Sequence, residues 1–198
     1  MDSYLTIGRT GEGFYKEKGS KFIAVALRAS SEDEVAAHLS ELRKQYYDAR
    51  HHCYGYSLGI AELRTRANDD GEPNHSAGDP ILGQIKSFDV RNTLVVVVRY
   101  FGGTKLGVGG LINAYRTAAT SALENAAIVE KKITQKVEVR FPYTETSEVM
   151  RKLNELPLDI TDQEFTADCL IKGEILKSQS DRLPEAFALN SLVKVSLL

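Results

Sequence analysis

Leu94-Val95-Val96-Val97-Val98-Arg99-Tyr100-Phe101-Gly102-Gly103-Thr104-Lys105-Leu106-Gly107-Val108-Gly109-Gly110-Leu111 is the stretch on which the reading of this chain turns. Residues 94–98 form a continuous apolar run, largely β-branched, which predicts a strand covered on both faces. Arg99 marks the end of the covered part. Beyond the glycines, Leu111, Ile112, Tyr115, Ala118, Ala119, Ala122, Leu123 and Ala126 recur at three- and four-residue steps and predict an amphipathic helix from about 111 to 127. The glycine loop therefore sits at a helix N-terminus, where backbone N–H groups lack intrahelical acceptors and the helix dipole is positive. Arg99, Lys105 and Arg116, with the backbone at Gly102, Gly103, Gly107, Gly109 and Gly110, are the expected anion- or nucleic-acid-binding group. The competing reading is that the glycines serve only tight turns and close helix-to-strand packing. Two nucleotide templates fail: Gly107 is followed by Val108 rather than Lys-Ser/Thr, and the third glycine of a dinucleotide fingerprint would fall at Ile112. No cofactor is expected.

A length of 198 residues allows one large domain or two small ones, and 42% hydrophobic with 26% charged residues describes an ordinary globular chain. With 25 Lys+Arg against 27 Asp+Glu, indiscriminate nucleic-acid binding is disfavoured, although a local basic face is not. No apolar run approaches the roughly 20 residues of a membrane span. Met1-Asp2-Ser3-Tyr4 carries no signal-peptide pattern, so a cytoplasmic protein is expected. Cys53 and Cys169 stand far apart without paired spacing and read as free thiols.

Strands and helices alternate in the first part. Residues 21–27 and 53–58 read as strands. Ser31 and Glu34 have capping-box spacing at the start of a helix striped by Val35, Leu39, Leu42 and Tyr46. Residues 68–80 read as a polar loop of turn formers. The charged stretch Glu130-Lys131-Lys132 is the expected linker, dividing the chain into domains 1–132 and 133–198. After it come a strand at 133–141, a helix at 145–155, strands at 158–166 and 169–177, a helix near 179–190 and a strand at 191–197. That βαββαβ order is the ferredoxin-like arrangement.

Several side chains of chemical interest cluster here. Arg50-His51-His52-Cys53, with His75 later, invites a zinc site, but in an extended segment His52 faces away from His51 and Cys53, and no spacing forces a ligand set. No metal is expected. A Cys53–His51 nucleophile pair lacks a third orienting residue, and an inert thiol is the alternative. The loop holding Asp69, Asp70 and Glu72 is either a chain of turns or a functional loop folding beside the glycines. Arg50, His51, His52, Asp69, Asp70 and Glu72 are its supporting residues, and catalytic residues stay unknown.

Lys18-Gly19-Ser20-Lys21-Phe22-Ile23-Ala24, Asp48-Ala49-Arg50-His51-His52-Cys53-Tyr54, Asn68-Asp69-Asp70-Gly71-Glu72-Pro73 and residues 99–111 together resemble the YigZ/IMPACT family. One departure is visible: Asn74-His75-Ser76 stands where many members read Ser-Gly-Thr, and Asp79 where a basic residue is frequent. The resemblance implies an α+β protein: an N-terminal IMPACT-type domain like ribosomal protein S5 domain 2, then a ferredoxin-like domain similar to the last domain of translocation elongation factors. It also implies a link to translation, which eukaryotic relatives regulate through an additional N-terminal partner-binding domain. This chain has no room for that domain, so that mechanism is not expected here. The expectation is a nonenzymatic, translation-linked protein that binds RNA, the ribosome or a protein partner, with Tyr54, Tyr56, Tyr100 and Phe101 as stacking surfaces or core aromatics. The alternatives are an enzyme on a small phosphorylated or carboxylated substrate, using Asp69, Asp70, Glu72 or His51 as acid and base, and a protein-interaction module.

Overall fold

The computed structural model describes residues 2–198; residue 1, where the expected first domain begins, lies outside them. The chain divides into two compact α+β units, one spanning Tyr4–Lys131 and the other Lys132–Leu198 with residues 2–3. No helix among the described residues is long and apolar enough to cross a membrane.

Elements of the larger unit are β1 (Ser3–Arg9), β2 (Gly11–Glu17), β3 (Ser20–Arg28), α1 (Glu32–Gln45), β4 (His51–Leu58), β5 (Arg64–Asn68), α2 (Gly78–Ser87), β6 (Thr93–Tyr100), α3 (Gly107–Asn125) and β7 (Ala127–Lys132). Five strands form one sheet in the order β2-β3-β6-β4-β5, each neighbouring pair antiparallel, while β1 and β7 pair separately. Strand β6 lies at the centre, and its alternation separates two apolar layers. Val95 and Val97 join Phe22, Ala24, Ala26 and Cys53 beneath α2 and α3. Leu94, Val96 and Val98 join Val25, Tyr54 and Tyr56 beneath α1. Helices on both faces are why five consecutive apolar residues, 94–98, are tolerated in β6.

Differences from the sequence expectations have identifiable causes. β2 breaks no apolar alternation rule but contains glycines: a Cβ at Gly13 would meet the Ala118 carbonyl at 2.6 Å, so its absence lets α3 lie directly on the strand. Helix α2 takes only its first three residues from the expected loop of 68–80 and the rest from a stretch with no expected element, and its N-terminal cap is supplied by the distant Asp69 rather than by a local side chain. Helix α3 begins at Gly107, four residues before the predicted start, so Gly107, Gly109 and Gly110 are its first turn rather than a loop before it. Glu130-Lys131-Lys132, the expected linker, lies in β7, the partner of β1, and the division between the two units falls between Lys131 and Lys132. At the predicted capping box, Ser31 Oγ accepts from Glu34 N at 3.2 Å, while the Glu34 carboxylate reaches the amide of Ser30 at 2.7 Å.

The second unit contains β8 (Thr134–Pro142), α4 (Thr146–Asn154), β9 (Leu158–Glu164), β10 (Asp168–Leu176), α5 (Arg182–Phe187) and β11 (Lys194–Leu197). Its antiparallel sheet has the order β11-β8-β10-β9. Inward residues of β8 and β10, such as Val139 and Ile171, pack on Val149 and Leu153 of α4 and Leu183 and Phe187 of α5. Helix α5 is shorter than the predicted 179–190, being preceded by a 3-10 turn at Lys177–Gln179.

Candidate functional site

At the end of the covered part of β6, Arg99 shares a sheet face with Val95 and Val97 and points toward α3. Phe22 of β3 and His51 of β4 stand directly opposite it on its two neighbours, forming one row across the sheet. Arg99 Nη1 donates to Glu72 Oε1 at 2.6 Å, with both side chains almost wholly buried. The same carboxylate oxygen accepts from the Tyr115 hydroxyl of α3 at 2.7 Å, and the Cys53 thiol lies 3.3 Å from that hydroxyl. Phe22 packs edge-on against Tyr115, with ring centroids 5.1 Å apart. The Arg99 guanidinium lies 5.5 Å from the Phe22 ring centre and 5.6 Å from that of Phe101. Its Nε is buried and without a hydrogen-bond partner among the described residues.

Glu72 belongs to the polar loop, whose remaining carboxylates hold the backbone. Asp69 accepts from the amides of His75, Ala77 and Gly78 at 2.8–3.0 Å, anchoring the loop to the start of α2. Burial pushes its carboxyl upward, but these backbone donors outweigh it and keep the group below the ordinary aspartate range. Asp70 accepts from the His52 amide at 2.7 Å and pairs with Arg43 at 3.5 Å. His51 Nδ1 donates to the Asp70 carbonyl at 2.9 Å. Thus the loop does fold beside the glycine segment, and its turns and its proximity are two aspects of one arrangement.

Between this loop, the end of β6 and the first turn of α3 lies a cleft of about 470 Å³. Arg50, His51, Glu72, Arg99 and Lys105 supply its polar lining, and Pro73, Phe101, Leu106, Val108 and Leu111 its apolar lining, with Gly107 between them. Arg50 and Lys105 are exposed and form no ion pair among the described residues. The first turn of α3 has neither a side-chain cap nor an acidic residue. In contrast, α1 has Ser31 and three acidic residues there, and α2 has Asp69. With Glu72 and Arg99 cancelling each other, the cleft keeps an excess of positive charge from Arg50, Lys105 and the α3 dipole.

The sequence-predicted residues are thus partly brought together. Lys105, Gly107 and Arg99 meet Arg50, His51 and Glu72 at the cleft, but Arg99 is a correction: its charge is committed to Glu72, and its Nε is the donor left without an acceptor among the described residues. Arg116 is likewise displaced, lying exposed in the third turn of α3 and outside the cleft lining. His52 is buried on the α1 side of the sheet, where burial holds its ring below the usual histidine range against the pull of Asp70. Gly102 serves packing, because a Cβ there would collide with the backbone of Gly19 and Ser20. Gly103 and Gly107 adopt left-handed backbone, and Gly110 packs on Leu106. Gly109 alone of these five has neither a left-handed φ nor a neighbour within 4 Å of where its Cβ would stand.

Catalytic readings lose their parts. Cys53 is fully buried, and burial first of all pushes its thiol far up, so it is no nucleophile. His75 is exposed and paired with Asp79 at 2.6 Å, and among the described residues no three His, Cys, Asp or Glu side chains converge on a metal position. Tyr54 and Tyr56 are core residues stacked at 6.4 Å. The Tyr100 hydroxyl donates to Asp48, which with burial pushes it up to about 12. Of the four aromatics considered for stacking, Phe101 stands open at 54% exposure. Sequence reasoning missed Tyr115 as the member of α3 that ties Glu72 to Cys53; a hydroxyl on an otherwise alanine-rich stripe was the available signal.

Comparison with known proteins places these features. Residues 18–123 match the Impact N-terminal domain, a span containing all four motifs quoted above. The chain is 36% identical over 155 residues to IMPACT family member YvyE of Bacillus subtilis, covering 78% of this chain and 71% of that protein. It is 29% identical over 174 residues to IMPACT family member YigZ of Escherichia coli, covering 87% and 85%. A crystal structure of a hypothetical protein superposes with a TM-score of 0.72 at 26% identity, covering all of this chain and 97% of that one. By the match over its central residues and by these relatives, the chain belongs to the IMPACT family.

Proposed function

We propose that this is a nonenzymatic, translation-linked binding protein of the cytoplasm that takes phosphate groups of RNA, free or ribosomal, into the cleft at the β6–α3 junction. The observation that carries the reading is the uncapped first turn of α3 at a cleft with two cations, Arg50 and Lys105, that have no carboxylate partner among the described residues. Charge-assisted contacts to such a group are roughly twice as strong as neutral ones. Phe101 on the rim offers a ring face for a base. The translation link rests on the family resemblance. Within it, residues 1–132 correspond to an IMPACT-type domain like ribosomal protein S5 domain 2. Residues 133–198 correspond to a ferredoxin-like domain, a reading that the strand order β11-β8-β10-β9 supports. Acid–base chemistry is disfavoured because Asp69, Asp70 and Glu72 are each engaged by amides or a guanidinium.

Fluorescence anisotropy of labelled single-stranded RNA across a salt series tests this. Two phosphate contacts, one for each cation of the cleft, would give a log–log slope of roughly −1.4 on single strands. Lys105→Ala and Arg50→Ala should each weaken binding, and more than Arg116→Ala does. Affinity indifferent to salt, or equal losses in all three variants, would remove the cleft from the account.

A further inference from the structure

We infer that the cleft is an end-binding site: it takes one phosphate monoester, carried by a free nucleotide or by the 5′ end of an RNA strand, in preference to internal phosphodiesters. This rests on the anion-binding reading above and narrows it.

Three observations carry the inference. The first is extent. A volume of about 470 Å³ is that of a small-molecule site, large enough for one nucleotide and bounded by Pro73 on one side and the α3 turn on the other. Residues 4–131 hold 16 Lys and Arg against 15 Asp and Glu, so the positive charge at the cleft is local to it, and Arg116 stands apart. Two cations in one small cleft answer a single phosphate rather than a run of them.

The second is charge. A monoester carries about −1.5 to −2 at neutral pH, whereas each internal phosphodiester carries one charge. Arg50 and Lys105, the two cations of the cleft without an ion pair among the described residues, match the former. A monoester also presents three terminal oxygens to the N–H groups of the α3 turn. Gly107, the first residue of that turn, lines the cleft, and the place of a side chain there is open space.

The third is an unmet donor. Arg99 is more than nine-tenths buried in the cleft wall, and its Nε has no acceptor among the described residues. Such a donor is costly to leave alone and points to an acceptor that arrives with a ligand. Phe101 and Val108, both more than half exposed on the rim, would cover the apolar body attached to the phosphate.

The test uses the full-length protein and a short oligoribonucleotide labelled at its 3′ end, prepared with either a 5′-phosphate or a 5′-hydroxyl, with unlabelled nucleoside 5′-monophosphates as competitors. The 5′-phosphate form should bind about tenfold more tightly, as expected for the loss of one charge-assisted contact set. The monophosphates should displace it, and the combined Arg50→Ala, Lys105→Ala variant, whose changes are both at exposed side chains, should abolish the difference. Equal binding of the two ends would overturn the end-binding inference while leaving RNA binding in place. Binding of monophosphates without binding of either RNA would overturn the RNA reading and keep the monoester site. Failure of every probe at low salt would overturn both.

Discussion

Glu72 and Arg99 are a buried pair of opposite charges, and their arrangement shows why one residue can hold a site without touching a ligand. The Glu72 carboxylate neutralises Arg99 and receives the Tyr115 hydroxyl through the same oxygen. Removing it in Glu72→Ala leaves a guanidinium uncompensated in the protein interior, a change that costs about 3–5 kcal/mol. Glu72→Gln retains an acceptor of similar shape and should cost less. Urea denaturation of the two variants checks this order; equal stability of Glu72→Ala and the parent would mean that water reaches the pair. At this scale the sequence was readable in part. It marked Glu72 and Arg99 as site residues, but their 27-residue separation concealed that they satisfy each other.

Helix ends are where the elements differ most, and two substitutions follow. Asp69 caps α2 through three backbone amides, so Asp69→Ala should cost about 1–2 kcal/mol at neutral pH. Because the folded-state carboxyl titrates below its ordinary value of 3.8, the stabilisation is complete above that value. It is lost as pH falls through the depressed folded-state pKa. The gap between parent and variant should therefore close in acid, as thermal melts at a series of pH values would show. At the α3 end, Gly109 sits in a helical turn with open space around it, so Gly109→Ala should stabilise the protein by roughly 0.5–1 kcal/mol. Gly109 is not among the residues that line the cleft, so a higher melting temperature with unchanged phosphate binding is the expected combination. Weaker binding in the stabilised variant would mean that the ligand extends past the cleft onto that face of α3. Periodicity made the existence of α3 legible but misplaced its start, since glycines read locally as helix breakers. It left α2 unread because that helix is capped by a residue outside it.

Three apolar clusters organise the whole molecule: two lie on opposite faces of the five-stranded sheet, and the third belongs wholly to the smaller unit. Leu153→Ala in that third cluster should cost about 2–5 kcal/mol and be felt first by residues 132–198. A urea titration followed by circular dichroism should then separate into two steps; a single transition moved bodily would show that the units unfold together. The sequence by itself determined the family, through four motifs in order, and the βαββαβ order of elements in the smaller unit, through local alternation. It also marked the central strand, because burial on both faces demands an unbroken apolar run at 94–98. The cleft was decided only by the tertiary structure. Arg50, Glu72, Arg99 and Lys105 come from separate strands, loops and turns, and whether each charge is spent inside the protein or left for a ligand depends on which others stand within a few ångströms of it.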